Sequence, residues 1–175
     1  MRAALLNYEV HDGHSALDFL SSGINEVSGY GRLGLTEVRI RPDSRHPDGY
    51  HDMGSFWSPD VPRRIIPDLK TTRSAKPWYW ENEIKKWGYG YRSCLYPDLA
   101  DHIDGCVLDD NNYIYIWVVV EKTPPYKVCI HEAHPYRRVQ LWREQVMDGL
   151  EELARCGNRD EWPTWPQGVH PVGDE

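Results

Sequence analysis

Residues 63–75 read RRIIPDLKTTRSA, and the reading of this stretch decides the fold. Arg63 to Leu69 has the look of a short strand, ending in an acid and a lysine one residue apart, Asp68 and Lys70. Side chains alternate across a strand, so these two project to the same face. Thr71, Thr72 and Arg73 follow at once. A D-x-K triplet alone occurs often by chance, so the remainder of the chain has to give it meaning.

The 175 residues suit one domain with a real core. Hydrophobic residues make up 40% and charged residues 27%, and no run nears the roughly 18 apolar residues of a membrane span. The opening MRAALLNYEVHDGHS lacks a signal-like apolar region. A cytoplasmic protein without a membrane partner is expected. Cys94, Cys106, Cys129 and Cys156 are widely spaced and form no C-x-x-C pair, which argues against a zinc ribbon and leaves ordinary reduced thiols. The net charge of −7 hides a gradient. Residues 63–86 hold seven basic residues against three acids, whereas residues 144–175 hold two against eight. A local basic patch can hold phosphates on an acidic protein, although a solvated charged face is the simpler account of such a run.

Along the chain, HSALDFLS (14–21) suggests a helical turn or two. TEVRIRP (36–42) alternates apolar and charged residues as a half-buried strand does, and Pro42 ends it. A polar loop from Asp43 to Pro62 follows. After the 63–69 strand, Pro77 opens a helix to about Lys86, with Ser74 as a cap. Gly88 and Gly90 interrupt it, and a second helical piece spans Tyr91 to Leu99. YIYIWVVVEK (113–122) is apolar on both faces near its end, as the central strand of a sheet should be, and YKVCIHE (126–132) is its hairpin partner. Val139, Trp142, Val146, Leu150 and Leu153 recur at 3–4 spacing on a helix from about Pro135 to Cys156, stopped by Gly157. The expectation is an α/β (α+β) fold with a central mixed sheet flanked by helices. It divides into a preamble (1–35), a core domain (36–157) and a Pro/Trp-rich tail (158–175).

Two carboxylates and a lysine at the ends of adjacent strands can form a metal-dependent phosphodiesterase centre. Carboxylates bind Mg²⁺ or Mn²⁺, hard cations that prefer oxygen. The bound cation activates water and stabilises charge on phosphate, and the lysine orients the attacking water. Asp68 and Lys70 supply one strand; a neighbouring strand must supply the second acid. Among the Pro-Asp pairs, Asp43 ends the strand EVRIRPD, which is expected to pair with the 63–69 strand. Asp60, eight residues before Asp68, is the alternative.

Taken in order, EVRIRPD, IIPDLKTTRSAKPW, KKWGYGYRSCLY, VVVEKTPPYKVCIHE and the long helix ending in ARCGNRDEWPTWPQG resemble the RecE-type, exonuclease VIII-like phage exonucleases. These belong to the PD-(D/E)xK nuclease superfamily, which also includes lambda exonuclease, and the likeness covers residues 36–169. The resemblance implies a restriction-endonuclease-like core and a Mg²⁺- or Mn²⁺-dependent exonuclease acting on linear duplex DNA in phage-type recombination. It further implies a homo-oligomer, a single-strand annealing protein as partner and a place in the cytoplasm of a bacterial or phage-infected cell. By position, Asp43 and Asp68 become metal ligands with the Leu69 carbonyl, and Lys70 becomes the catalytic lysine. Thr71, Thr72, Arg73, Arg92 and Tyr96 become DNA-contacting or supporting residues. The chain departs from the family pattern at Arg92, where a glutamine is usual in a GYHxQAAxY-like helix, and in its short N-terminal region. Glu37 is a substitute acid for that region.

Other readings compete. Lys70 and Asp68 could form a mere surface ion pair. His46, His51, Asp48 and Asp52 read as a polar loop rather than a metal site, and His131 and His134 as surface or capping residues. Trp78, Trp80 and Trp87 could stack on bases, with core packing expected for at least two of them. Glu121 and Lys122 look structural. The arginine at position 92 also admits an inactive nuclease-fold module that only binds DNA or a protein. An iron–sulfur nuclease would need a cysteine cluster that the chain lacks.

Overall fold

The computed structural model describes residues 1–11, 13–50, 63–105, 113–133 and 138–163. At its centre the two strands expected from sequence pair with each other, which was not expected: β7 (Arg63–Thr72) lies parallel to β8 (Tyr113–Glu121), with Asp68 opposite Trp117 and Lys70 opposite Val119. On the far side of β8, β9 (Val128–Glu132) pairs antiparallel. On the far side of β7, β6 (Ser44–Tyr50) pairs antiparallel and is followed outward by β3 (Ile24–Asn25). The five-stranded order is therefore β3-β6-β7-β8-β9. β8 is buried on both faces because both are covered, which is why its sequence reads as a continuous apolar run.

One face packs Ile66, Tyr115, Trp117 and Val119 against Trp80 and Ile84 of α3 (Pro77–Trp87) and Leu99 and Ala100 of α4 (Tyr89–Ile103). The other packs Ile65, Ile116, Val118 and Val120 against Leu5 of α1 (Arg2–Asn7) and Ala16 and Phe19 of α2 (Ala16–Ser21). Each such aliphatic side chain contributes about 1.5–3 kcal/mol when fully buried. Residues 1–21 thus close the second face of the sheet; they also form the short pair β1 (Glu9–His11) and β2 (His14–Ser15). Ser15 and Asp18 make the capping box that starts α2.

Several local expectations change. The strand TEVRI is β5 (Thr36–Ile40), but it pairs with β4 (Gly29–Leu33) in a separate hairpin rather than with β7. Gly29 and Gly31 let that hairpin close onto α4: a Cβ on them would meet Ile103 at 2.6 Å and Leu99 at 2.8 Å. The stretch after Asp43, expected as loop, begins with β6; residues 51–62, with His51, Asp52 and Asp60, lie outside the described residues. Lys76, not Ser74, is the residue preceding α3, and no side chain caps it; Pro77 is its first residue as expected. Gly88 ends α3 with a left-handed φ of 64°, whereas Gly90 sits inside α4, buried against the Trp142 ring. α4 runs on through Pro97 to Ile103. α5 (Arg138–Arg159) passes through Gly157 and is anchored by Arg143, whose Nε and Nη2 donate to Asp98 at 2.9 and 2.8 Å. Asp98, another Pro-Asp acid, is thereby committed to holding α5. The three described cysteines, Cys94, Cys129 and Cys156, form no disulfide among the described residues.

Two histidines tie the fold to pH. His46, expected in a polar loop, lies buried on β6 with Nε2 3.1 Å from the Phe19 carbonyl. His131, expected at the surface, is half-buried on β9 and stacks on Trp80 at 6.2 Å. Burial pushes both imidazoles below their ordinary value of 6.5. A depressed histidine pKa contributes stability above the unfolded value, lost as pH falls through the folded value. The melting temperature is therefore expected to fall as pH drops below about 6.5, and a His46→Gln/His131→Gln double variant should flatten that slope in a thermal-melt series.

Candidate active site

The β6–β7 ladder explains how the two acids meet. His46 pairs with Ile65; continuing that register towards the start of β6 sets Asp43 opposite Asp68. β6 begins only at Ser44, so its backbone gives out there, and the Asp43 side chain takes its place. Asp43 Oδ2 accepts a hydrogen bond from the Leu69 N–H at 2.9 Å. Asp68 is only 3% exposed. Its carboxylate forms an ion pair with the Lys70 ammonium, two residues along the same strand face. That ammonium also lies 3.4 Å from the Leu69 carbonyl oxygen and 5.5 Å from the centre of the Tyr89 ring.

Burial pushes the Asp68 carboxyl above its ordinary value of 3.8; Lys70 opposes the rise, Asp43 adds to it, and Arg92 opposes it more weakly. The electrostatics therefore gather Asp43, Asp68, Lys70 and Arg92 into one neighbourhood. Burial, then Glu83 and Asp68, raise the Tyr89 hydroxyl above 10.0. Trp80 stacks on Tyr89 at 5.6 Å, so α3 and the start of α4 brace the ring under Lys70. The ion pair is thus an enclosed one, not a solvent-screened surface contact.

The remaining sequence candidates divide. Tyr96, on α4, meets Tyr115 edge-on at 6.1 Å, beside the site. Thr71 and Arg73 are exposed at the end of β7. Thr72 is 2% exposed and lies within the strand, on the face of Asp68 and Lys70. Glu37 is not brought in: it pairs with Arg32 at 3.5 Å on the solvent side of the β4–β5 hairpin. Glu121 is structural as expected, accepting the Ala75 N–H at 3.1 Å and so fixing the turn into α3. Only Trp80 of the three helix tryptophans is in the core; Trp78 and Trp87 are 64% and 57% exposed, against expectation. Tyr89 and Tyr115 were not singled out from sequence. Their alternation is visible in the chain, but which strand and which register they face is not.

The residues fit a divalent cation. A carboxylate nearly excluded from water, a second carboxylate acting on it and a neighbouring backbone carbonyl form an all-oxygen set suited to Mg²⁺ or Mn²⁺. A cationic group, the Lys70 ammonium, already sits against Asp68 and the Leu69 carbonyl. No group of three His, Cys, Asp or Glu side chains gathers among the described residues, so Asp43, Asp68 and the Leu69 carbonyl would hold the ion.

Comparison with known proteins bears on the fold. Residues 58–168 match the family model described as a PDDEXK-like domain of unknown function (DUF3799). No curated protein matches the chain. The fold is shared with the crystal structure of an exonuclease candidate from Eubacterium rectale, with a TM-score of 0.56 and 16% sequence identity. The match covers 84% of this chain and 49% of that one, so the chain spans about half the length of its structural relative. With a mixed sheet flanked by helices, an aspartate and lysine spaced D-x-K on its central strand, and a family match over more than half its length, the chain belongs to the PDDEXK-like domain family DUF3799.

Proposed function

We propose that this chain is a metal-dependent DNA exonuclease that hydrolyses phosphodiester bonds at the ends of linear duplex DNA. The observation that carries the reading is the convergence of Asp43, Asp68 and Lys70 at the meeting of β6 and β7, with Arg92 acting on the same carboxylate. A Mg²⁺ or Mn²⁺ ion bound there would activate water and neutralise charge on the phosphate. Asp43 and Asp68 hold the cation's place, Asp43 being fixed by the Leu69 N–H. Lys70 orients the attacking water through Nζ, and the Tyr89 ring and Asp68 fix the direction of its stem. Arg92, where relatives of the RecE type carry glutamine, contacts phosphate. Thr71, Arg73 and Tyr96 line the path of the strand. The resemblance extends the proposal to phage-type recombination, a homo-oligomer and a single-strand annealing partner. Incubating the protein with linear, nicked and single-stranded DNA in Mg²⁺ or Mn²⁺ tests it. Metal-dependent loss of the linear duplex is expected, and three intact substrates would refute it.

Binding before hydrolysis should draw on the rim of α3. Trp87 is exposed, its indole N–H donates to Glu83 Oε2 at 3.1 Å, and the Lys86 ammonium lies 4.9 Å from its ring centre. Glu83 acts electrostatically on Tyr89, which joins this rim to the lysine site. Base stacking on an aromatic side chain is worth about 1–3 kcal/mol. Trp87→Ala is therefore expected to weaken binding to a frayed DNA end by about tenfold, measured by fluorescence anisotropy in Ca²⁺, with the melting temperature unchanged.

The rival reading, a DNA- or protein-binding module without catalysis, draws on Arg92, whose guanidinium acts on Asp68 and could displace a cation. Metal binding that depends on Asp68 separates the two.

A further inference from the structure

Tyr115 is a polar group that the proposed chemistry leaves unused. It sits on β8 opposite Ile66, on the sheet face that carries Asp68 and Lys70, and two residues before Trp117, the partner of Asp68. The residue is 1% exposed. Its ring is fixed between Tyr96, at 6.1 Å and 73°, and Trp117, at 5.5 Å and 66°. Its hydroxyl nevertheless has no hydrogen-bond partner among the described residues. An enclosed O–H without an acceptor is unfavourable, and native proteins rarely leave one so. The groups that act on this hydroxyl electrostatically are Asp68, Tyr96, Arg92 and Asp43, which places it within the proposed site. Burial, followed by Asp68, holds it well above its ordinary value of 10.0, so at neutral pH it is a donor. Two carboxylates nearby do not accept from it, and its proton is left for an oxygen that the site has yet to receive.

We propose that the Tyr115 hydroxyl donates a hydrogen bond to a non-bridging oxygen of a deoxynucleotide phosphate seated between Asp68 and Arg92. The inference rests on the nuclease reading but adds a phosphate-binding residue that neither the D-x-K strand nor the glutamine-position arginine supplies. It also has a consequence that a merely structural tyrosine would not share. Removing the hydroxyl relieves an unsatisfied buried group in the free protein while removing a contact in the bound one.

The test is calorimetric titration of wild type and Tyr115→Phe with 5′-dAMP in Mn²⁺, alongside thermal melts of both without metal or nucleotide. Phenylalanine preserves the ring contacts, so the variant should fold. The expected result is an affinity for 5′-dAMP lowered by about tenfold, the scale of a hydrogen bond to a charged group, with a metal-free melting temperature equal to or above wild type. Equal affinities overturn the proposal whatever the melts show, as does a wild type that binds no 5′-dAMP. If the wild type binds 5′-dAMP through Tyr115 yet leaves linear DNA intact, the phosphate site stands and the nuclease reading falls. If DNA is degraded and Tyr115→Phe binds as wild type does, the reverse holds.

Discussion

Lys70→Ala is expected to lower metal-dependent degradation of linear duplex DNA by about 10²–10⁴-fold, the range attributed to a positioned acid–base group. The lysine stem leaves β7 on the face of Asp68, and its ammonium is held by that carboxylate, by the Leu69 carbonyl and over the Tyr89 ring. Three fixed neighbours leave it few alternative positions, so its loss removes a placed group rather than a mobile surface charge. The fold should persist, because the core beneath is built from Ile66, Trp117 and Val119 and does not depend on the ammonium. Asp68 would lose its cation, and its carboxyl would then hold a proton more readily in the free protein. Nuclease time courses on end-labelled duplex, with circular-dichroism melts of the same preparations, check both halves. Undiminished activity in a folded Lys70→Ala protein would sink the proposed mechanism.

Asp68→Asn is expected to abolish Mn²⁺ binding to the site, with affinity falling by at least 100-fold in a calorimetric titration, as befits loss of one of two carboxylate ligands. The wild-type affinity should also depend on pH in a set direction. Because burial raises the Asp68 pKa above 3.8, the neutral carboxyl contributes stability that is complete below the ordinary value and lost as pH rises through the raised one. A cation needs the charged form, so its binding expels the proton, and affinity must increase as pH rises through that pKa and level off above it. Mn²⁺ should therefore raise the melting temperature of the wild type increasingly as pH rises above the ordinary carboxylate range, and that of Asp68→Asn at no pH. Asp68-independent metal binding would favour the non-catalytic reading.

The two strands at the heart of the molecule, though not their pairing, were legible because β-branched and aromatic runs bounded by turn residues leave little alternative. VVV at 118–120 can be apolar on both faces only inside a covered sheet, and β8 lies there, between β7 and β9. The short register of D-x-K likewise fixed Asp68 and Lys70 to one side, since alternation along a strand is a local property. Asp43, the candidate second acid, lies beside β7 by another route than the one expected. Asp43 was assigned as the end of TEVRIRP, yet that strand belongs to the hairpin with β4; Asp43 reaches the site as the residue before β6. Chain direction and pairing are tertiary choices, made here by which strand can stack its apolar face on α4. β6 itself escaped notice because SRHPDGY has the composition of a loop. It holds as a strand because Ser44 and His46 are buried and β7 supplies the ladder.

Sequence by itself thus determined the common face of Asp68 and Lys70, the existence of the apolar strand 113–122 and the helices that follow, all set by short-range periodicity. Only the tertiary structure decided that β7 pairs with β8, which strand Asp43 precedes, that Glu37 faces solvent, that Trp87 stands at the rim while Trp80 is core, and that the Tyr115 hydroxyl is buried without a partner among the described residues. Those outcomes depend on register and packing between segments far apart in the chain, where a side chain's neighbours are chosen by the burial of whole faces rather than by the residues next to it.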